Sequence, residues 1–191
     1  MSFLSLAHGP AALAARRAFL GKSGVLLSAA AIALLAGKEA LAKGGEATAA
    51  DARILNTALG AELEAIAAYQ VGAESGLLQK PVLDLAVTFQ GHHKEHADLL
   101  TKTIVKLGGK PVSAKAKYTF PTETLKNQND VLRFAATLEK GAVSAYLGAV
   151  PLFGNRELAK AAASILGDEA MHWAILRNAL GEVPVPSAFM S

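Results

Sequence analysis

The sequence has no cysteine among its 191 residues. That excludes a disulfide, a thiolate metal site and an iron–sulfur cluster. An excess of one charge is also missing once the N-terminus is set apart. The chain carries 19 Lys and Arg against 16 Asp and Glu, a formal +3. Residues 1–42 hold Arg16, Arg17, Lys22 and Lys38 but one acid, Glu39, so the remainder has 15 residues of each sign. A neutral body offers no electrostatic footprint for nucleic acid, so no nucleic-acid partner is implied. The most apolar run, roughly Val25 to Ala36, is well short of the about 20 residues that a bilayer-spanning helix needs. No convincing strand alternation appears after residue 50. Histidine is scarce: His8 lies near the N-terminus, and the other four, His92, His93, His96 and His172, sit in two short motifs.

What is present is a repeat. Glu62 precedes Tyr69 by seven residues in ELEAIAAY, and Glu139 precedes Tyr146 by seven in EKGAVSAY, each residue displaced by 77. Downstream lie HHKEH, ending in His96, and DEAMH, ending in His172, displaced by 76. Metal-ligand residue types on a helix pair that is used twice point to a metal site built from two related halves.

Four long helical patterns carry these motifs: about Ala50–Ser75, Pro81–Leu107, Asp130–Val150 and Asn155–Leu180. Gly76, Gly108-Gly109 and Gly181 mark ends, and Asp130 and Asn155 are expected N-caps. Short links join the first two helices and the last two, which predicts two antiparallel hairpins. The long segment Gly109–Asn129 between them, with Pro111 and Pro121, predicts a crossover along the outside of an all-α four-helix bundle. The expected divisions are a leader at 1–42, a flexible segment at 43–49, the bundle at 50–181 and a tail at 182–191.

At about 100° per residue, Glu62 shares the apolar stripe of Leu55, Leu59, Ile66 and Tyr69, while Glu64 points to solvent. Glu139 lies with Leu132, Val143, Tyr146 and Val150. Glu169 and His172 lie with Ile165, Leu166, Trp173 and Leu176. His96 lies with Phe89, His92, His93, Leu99 and Leu100, and Glu95 is about 100° away. One buried histidine is ordinarily a hydrogen-bonded core residue. Three buried glutamates are not explained by packing, because an unpaired carboxylate in a core costs several kcal/mol. Cations would neutralise them. Glu62, His96, Glu139, Glu169 and His172 are therefore expected to converge, with His93 at the edge of the site. Tyr69 and Tyr146 are either plain core or, the favoured reading, hydrogen-bond partners of ligand carboxylates.

The N-terminal segment, with Arg16-Arg17-Ala18-Phe19-Leu20, a weak apolar core and Ala40-Leu41-Ala42, resembles a twin-arginine export signal. It implies passage through the twin-arginine machinery and a periplasmic or otherwise exported location. Residues 50–181 resemble the ferritin-like superfamily of bacterioferritins, rubrerythrins and related bacterial domains. The resemblance rests on ELEAIAAY, on the run from His96 to Pro111, on Glu139 and on DEAMH. It implies Glu62 and Glu139 as terminal ligands, His96 and His172 as histidine ligands, and Glu169 as a bridge between two metals. Its implied cofactor is two iron ions, with manganese or a single zinc as alternatives. The implied activity is that of a di-iron or di-manganese oxidoreductase acting with dioxygen or peroxide. A non-catalytic metal-binding or stress-protection protein of the cell envelope is the alternative. A homodimer is the expected assembly. One position departs from the family pattern: His93 stands where the second helix should supply a bridging Glu. Three carboxylates, rather than four, then face the metals. Neither a fifth helix nor a rubredoxin-type cysteine module is present, which disfavours shell-type iron storage and an internal electron donor.

Overall fold

The computed structural model describes residues 44–190. The leader expected at residues 1–42 lies outside them. Four helices make the fold: α1, Gly44–Glu74; α2, Lys80–Lys106; α3, Gln128–Ala149; and α4, Arg156–Ala179. Short 3₁₀ turns at Thr122–Thr124 and Val150–Leu152 complete it, with no strand among the described residues. The fold is the expected all-α four-helix bundle, with α1 packed on α2 and α3 on α4. No helix among the described residues is long and apolar enough to cross a membrane.

Two local expectations are corrected. The segment 43–49 was expected to be flexible, but α1 already begins at Gly44. Asp130 is not the N-cap of α3. Asn127 caps that helix and Asp130 closes a reciprocal capping box, accepting from the backbone N–H of Asn127 at 3.2 Å. Asn155 caps α4 as expected, accepting from Glu157 N–H at 2.8 Å. The α2 terminus needs two glycines. Gly108 takes a left-handed φ of 78°, and a Cβ on Gly109 would sit 2.9 Å from Ile104 Cγ2.

Antiparallel packing sorts the buried residues into layers. At one end Leu55, Leu59, Leu100, Ile104 and Ile165 form an apolar cluster. At the other, Tyr69, Phe89, Leu132 and Leu176 form a second. Each fully buried aliphatic side chain contributes about 1.5–3 kcal/mol. Between the two layers every helix contributes polar residues instead. The crossover ties the hairpins together from outside. Asn56 donates to the Lys110 carbonyl at 3.0 Å and accepts from Val112 N–H at 2.7 Å. Phe120 buries against Ala68 and Leu138, covering one part of the α1–α3 seam.

One buried carboxylate serves the fold alone. Asp51, on α1, accepts from Gly154 N–H at 2.9 Å and from Asn155 N–H at 3.1 Å. It satisfies donors at the start of α4 and sits where the helix dipole favours a negative charge. Asp51 is 3% exposed, and Asp51→Ala removes the acceptor of two backbone donors on the exposed residues Gly154 and Asn155. We expect this substitution to lower the unfolding free energy by about 1–2 kcal/mol. Urea denaturation measures this, and an unchanged midpoint would contradict it.

Candidate metal centre

The middle layer holds Glu62 from α1, His93 and His96 from α2, Glu139 from α3, and Glu169 and His172 from α4. The three glutamates, His93 and His172 are all buried, and Glu169 is 0% exposed. Two groups of ligand atoms emerge, each with all atoms within 4.8 Å of one another. One is Glu62, His93, His96 and Glu169; the other is His93, Glu139, Glu169 and His172. Glu169 and His93 belong to both.

His93 therefore sits at the centre of the cluster, not at its edge. Its Nδ1 lies 2.8 Å from Glu62 Oε2 and its Nε2 lies 3.3 Å from Glu139 Oε1. It spans the carboxylates of the two hairpins. His96 Nδ1 faces the first group, 3.1 Å from Glu169 Oε1, without the alignment of a hydrogen bond. His172 Nδ1 faces the second, 3.5 Å from Glu139 Oε1 and 3.6 Å from Glu169 Oε2.

The tyrosines cross. Tyr69 of α1 donates to Glu139 of α3, and Tyr146 of α3 donates to Glu62 of α1, the latter at 2.6 Å. Seven residues of helix rise by about 10.5 Å, so neither hydroxyl can reach the glutamate of its own helix. Burial and the facing glutamate raise both phenol pKa values well above 10.0, so both remain donors.

Two participants were not singled out from the sequence. Asp168 Oδ2 lies 3.4 Å from His96 Nε2 and 3.2 Å from His172 Nε2, on the sides of those rings that face away from the buried glutamates. A proton on each Nε2 leaves each Nδ1 free to bind a cation. Its signal was present: Asp168 and His172 are four apart on one helix face. His92, half-exposed, approaches His172 Nε2 at 2.9 Å. Glu95 is exposed and takes no part. Glu64, expected in solvent, is mostly covered, with Lys115 of the crossover 3.9 Å away.

The residues fit a metal. Among the described residues, the buried side-chain atoms without a hydrogen-bond partner are His96 Nδ1, Glu139 Oε2, both oxygens of Glu169 and His172 Nδ1. All five belong to this cluster. A buried carboxylate with no hydrogen bond to either oxygen is strongly unfavourable unless positive charge, from a metal ion or from the protonated histidines around it, joins it. Carboxylate oxygen with imidazole nitrogen suits iron, manganese or zinc.

A ferritin-like domain pattern matches residues 50–182. The chain belongs to the ferritin-like domain family. The fold of this ferritin-like domain is similar to the crystal structure of a conserved hypothetical protein, Rv2844, from Mycobacterium tuberculosis. The TM-score is 0.65, with 75% of this chain and 99% of that one covered at 23% sequence identity. No curated protein shows significant similarity to the chain.

Without metal, protons take the place of cations in the ferritin-like core. Burial alone would lower the pKa of His93, but hydrogen bonds to Glu139 and Glu62 and the charge of Glu169 raise it from 6.5 to about 11. Burial also opposes charge on His96 and His172. Glu169 and Glu62 around the first, and Glu139 and Glu169 around the second, raise each to about 9. Burial would raise Glu139, but His172 and His93 hold it well below 4.5. Three imidazoliums then balance three carboxylates. The histidine contributions to stability are complete below pH 6.5 and are lost as pH rises through about 9 and then about 11. The Glu139 contribution is complete above pH 4.5 and is lost in stronger acid. The metal-free protein should therefore melt at its highest temperature between these limits, at weakly acidic pH, and progressively lower from pH 7 to pH 10. Thermal melts in chelator across that range check this; a flat profile would contradict it.

Proposed function

We propose that this is an exported ferritin-like protein that holds two iron ions and turns over dioxygen or peroxide. The observation that carries the reading is Glu169: fully buried, without a hydrogen-bond partner at either oxygen and shared by the two ligand groups. Glu62 and His96 would complete one position, Glu139 and His172 the other, with one His93 nitrogen turned toward each. Bound iron would supply one-electron chemistry between its ferrous and ferric states. The protein's own part is positional. Tyr146 and Tyr69 hold the terminal carboxylates, Asp168 holds the two ligand histidines in one tautomer, and the apolar layers exclude water.

A small uncharged oxidant also has a path. A cleft of about 30 Å³ between α1 and α3 is walled by Ala58, Ala61, Ala65, Ala142 and Ala145 and reaches Glu62, His93 and Glu139. Its size suits about two water-sized molecules. A non-catalytic metal holder is the second reading. It is favoured by His93, which leaves three carboxylates where a balanced ferrous pair would have four.

Elemental analysis of protein from its native compartment should find two ions per chain, iron before manganese. Glu169→Ala should lose both, and His96→Ala or His172→Ala one each. Retention of two ions by Glu169→Ala would refute the shared bridge. His93→Glu should bind iron more tightly and oxidise it faster. If it binds two irons tightly without any gain in turnover, the metal holder becomes the better reading.

Export rests on Arg16 and Arg17. Changing both to Lys should leave precursor in the cytoplasm. Undiminished periplasmic accumulation would show that another route carries the chain.

A further inference from the structure

Beside the buried cluster, on its solvent side, lies a second set of ligand atoms: His92 Nδ1, Asp168 Oδ2 and His172 Nε2. They form a triangle with edges of 2.9 Å (His92–His172), 3.2 Å (His172–Asp168) and 3.3 Å (His92–Asp168). An ion about 2.1 Å from two neighbouring ligands holds them about 3.0 Å apart in an octahedron and about 3.4 Å apart in a tetrahedron. All three edges fit within or beside that interval, so a cation needs almost no rearrangement. Two imidazoles and one carboxylate on a single face are a donor set for first-row divalent metals, with the remaining positions left open. The side chains of His92 and Asp168 are 41% and 24% exposed, so water can fill those positions.

We propose that these three residues form an outer loading site that receives a divalent transition-metal ion from solution and passes it to the buried pair. The inward step rests on the buried-pair reading above. His172 decides the direction. Its Nε2 faces the outer triangle, while its Nδ1 faces Glu139 and Glu169. A neutral imidazole has one proton-free nitrogen. His172 therefore binds the outer ion or the inner one, but not both together. Filling the inner position empties the outer site, which makes it a station and not a third permanent site. Asp168 also faces His96 Nε2 at 3.4 Å, which puts its carboxylate beside both buried positions.

The test uses the whole metal-free protein and Mn(II) chloride. A short chelator pulse separates labile outer ions from buried ones, and spin resonance detects bound Mn(II) during filling. In the wild type, a labile bound ion should appear first. Chelator-resistant Mn(II) should follow at a rate that saturates with Mn(II) concentration. His92→Ala, at a half-exposed position, should lose the labile signal, fill about tenfold more slowly without saturation, and still reach two resistant ions. His92→Asp should restore both signal and rate. Filling of His92→Ala at the wild-type rate, or absence of labile Mn(II) in the wild type, overturns the loading site. So does a labile ion that persists beside two resistant ones. Labile Mn(II) held through His92 that never becomes resistant overturns the buried pair and the inward step, while the outer site itself stands.

Discussion

Everything in this bundle is arranged around the neutralisation of buried carboxylate. Glu62, Glu139 and Glu169 occupy positions that leucine would fill in an ordinary bundle, and none is more than 3% exposed. Two sets of groups can answer that charge: the imidazoles inside the layer, and metal ions for which the same side chains offer ligand atoms. The apolar clusters above and below raise the stakes, because a low local dielectric strengthens a satisfied network and penalises an incomplete one.

His93 takes on a different meaning in this light. In the pattern with four carboxylates and two histidines, two negative charges would remain in the metal-free core even with both histidines protonated. Here three meet three, and His93 reaches a carboxylate of each hairpin. The same substitution that leaves a metal pair less well balanced makes the metal-free bundle better balanced. The bundle can therefore stay folded without metal, and any ion that bound here would have to displace protons.

Much of this was legible in the sequence, for identifiable reasons. The 3.6-residue period assigned the helices, link lengths assigned the hairpins, and shared phase brought Glu62, His96, Glu139, Glu169 and His172 to one core. Phase gives a direction around an axis but no depth, so it does not tell the centre of the layer, where His93 lies, from its edge. Asp168 lies about 100° around from Glu169, and its role depends on two rings, one of them on another helix. The early start of α1 was hidden by a composition of small residues that reads as flexible yet includes alanine, the best helix former. Asp130 carried a capping residue's identity but served from inside the first turn, because Asn127 was equally able to cap.

The crossed tyrosines have a consequence for how the two halves depend on one another. Neither hairpin contains a complete set of contacts: each supplies the hydroxyl that the other's carboxylate accepts. This reciprocal exchange has the logic of a two-fold interface, in which patch i meets j and j meets i. The crossover joins such an interface into one chain and so makes the meeting of the two halves intramolecular. Assembly of the halves is thus a folding step within a molecule, independent of how much protein is present.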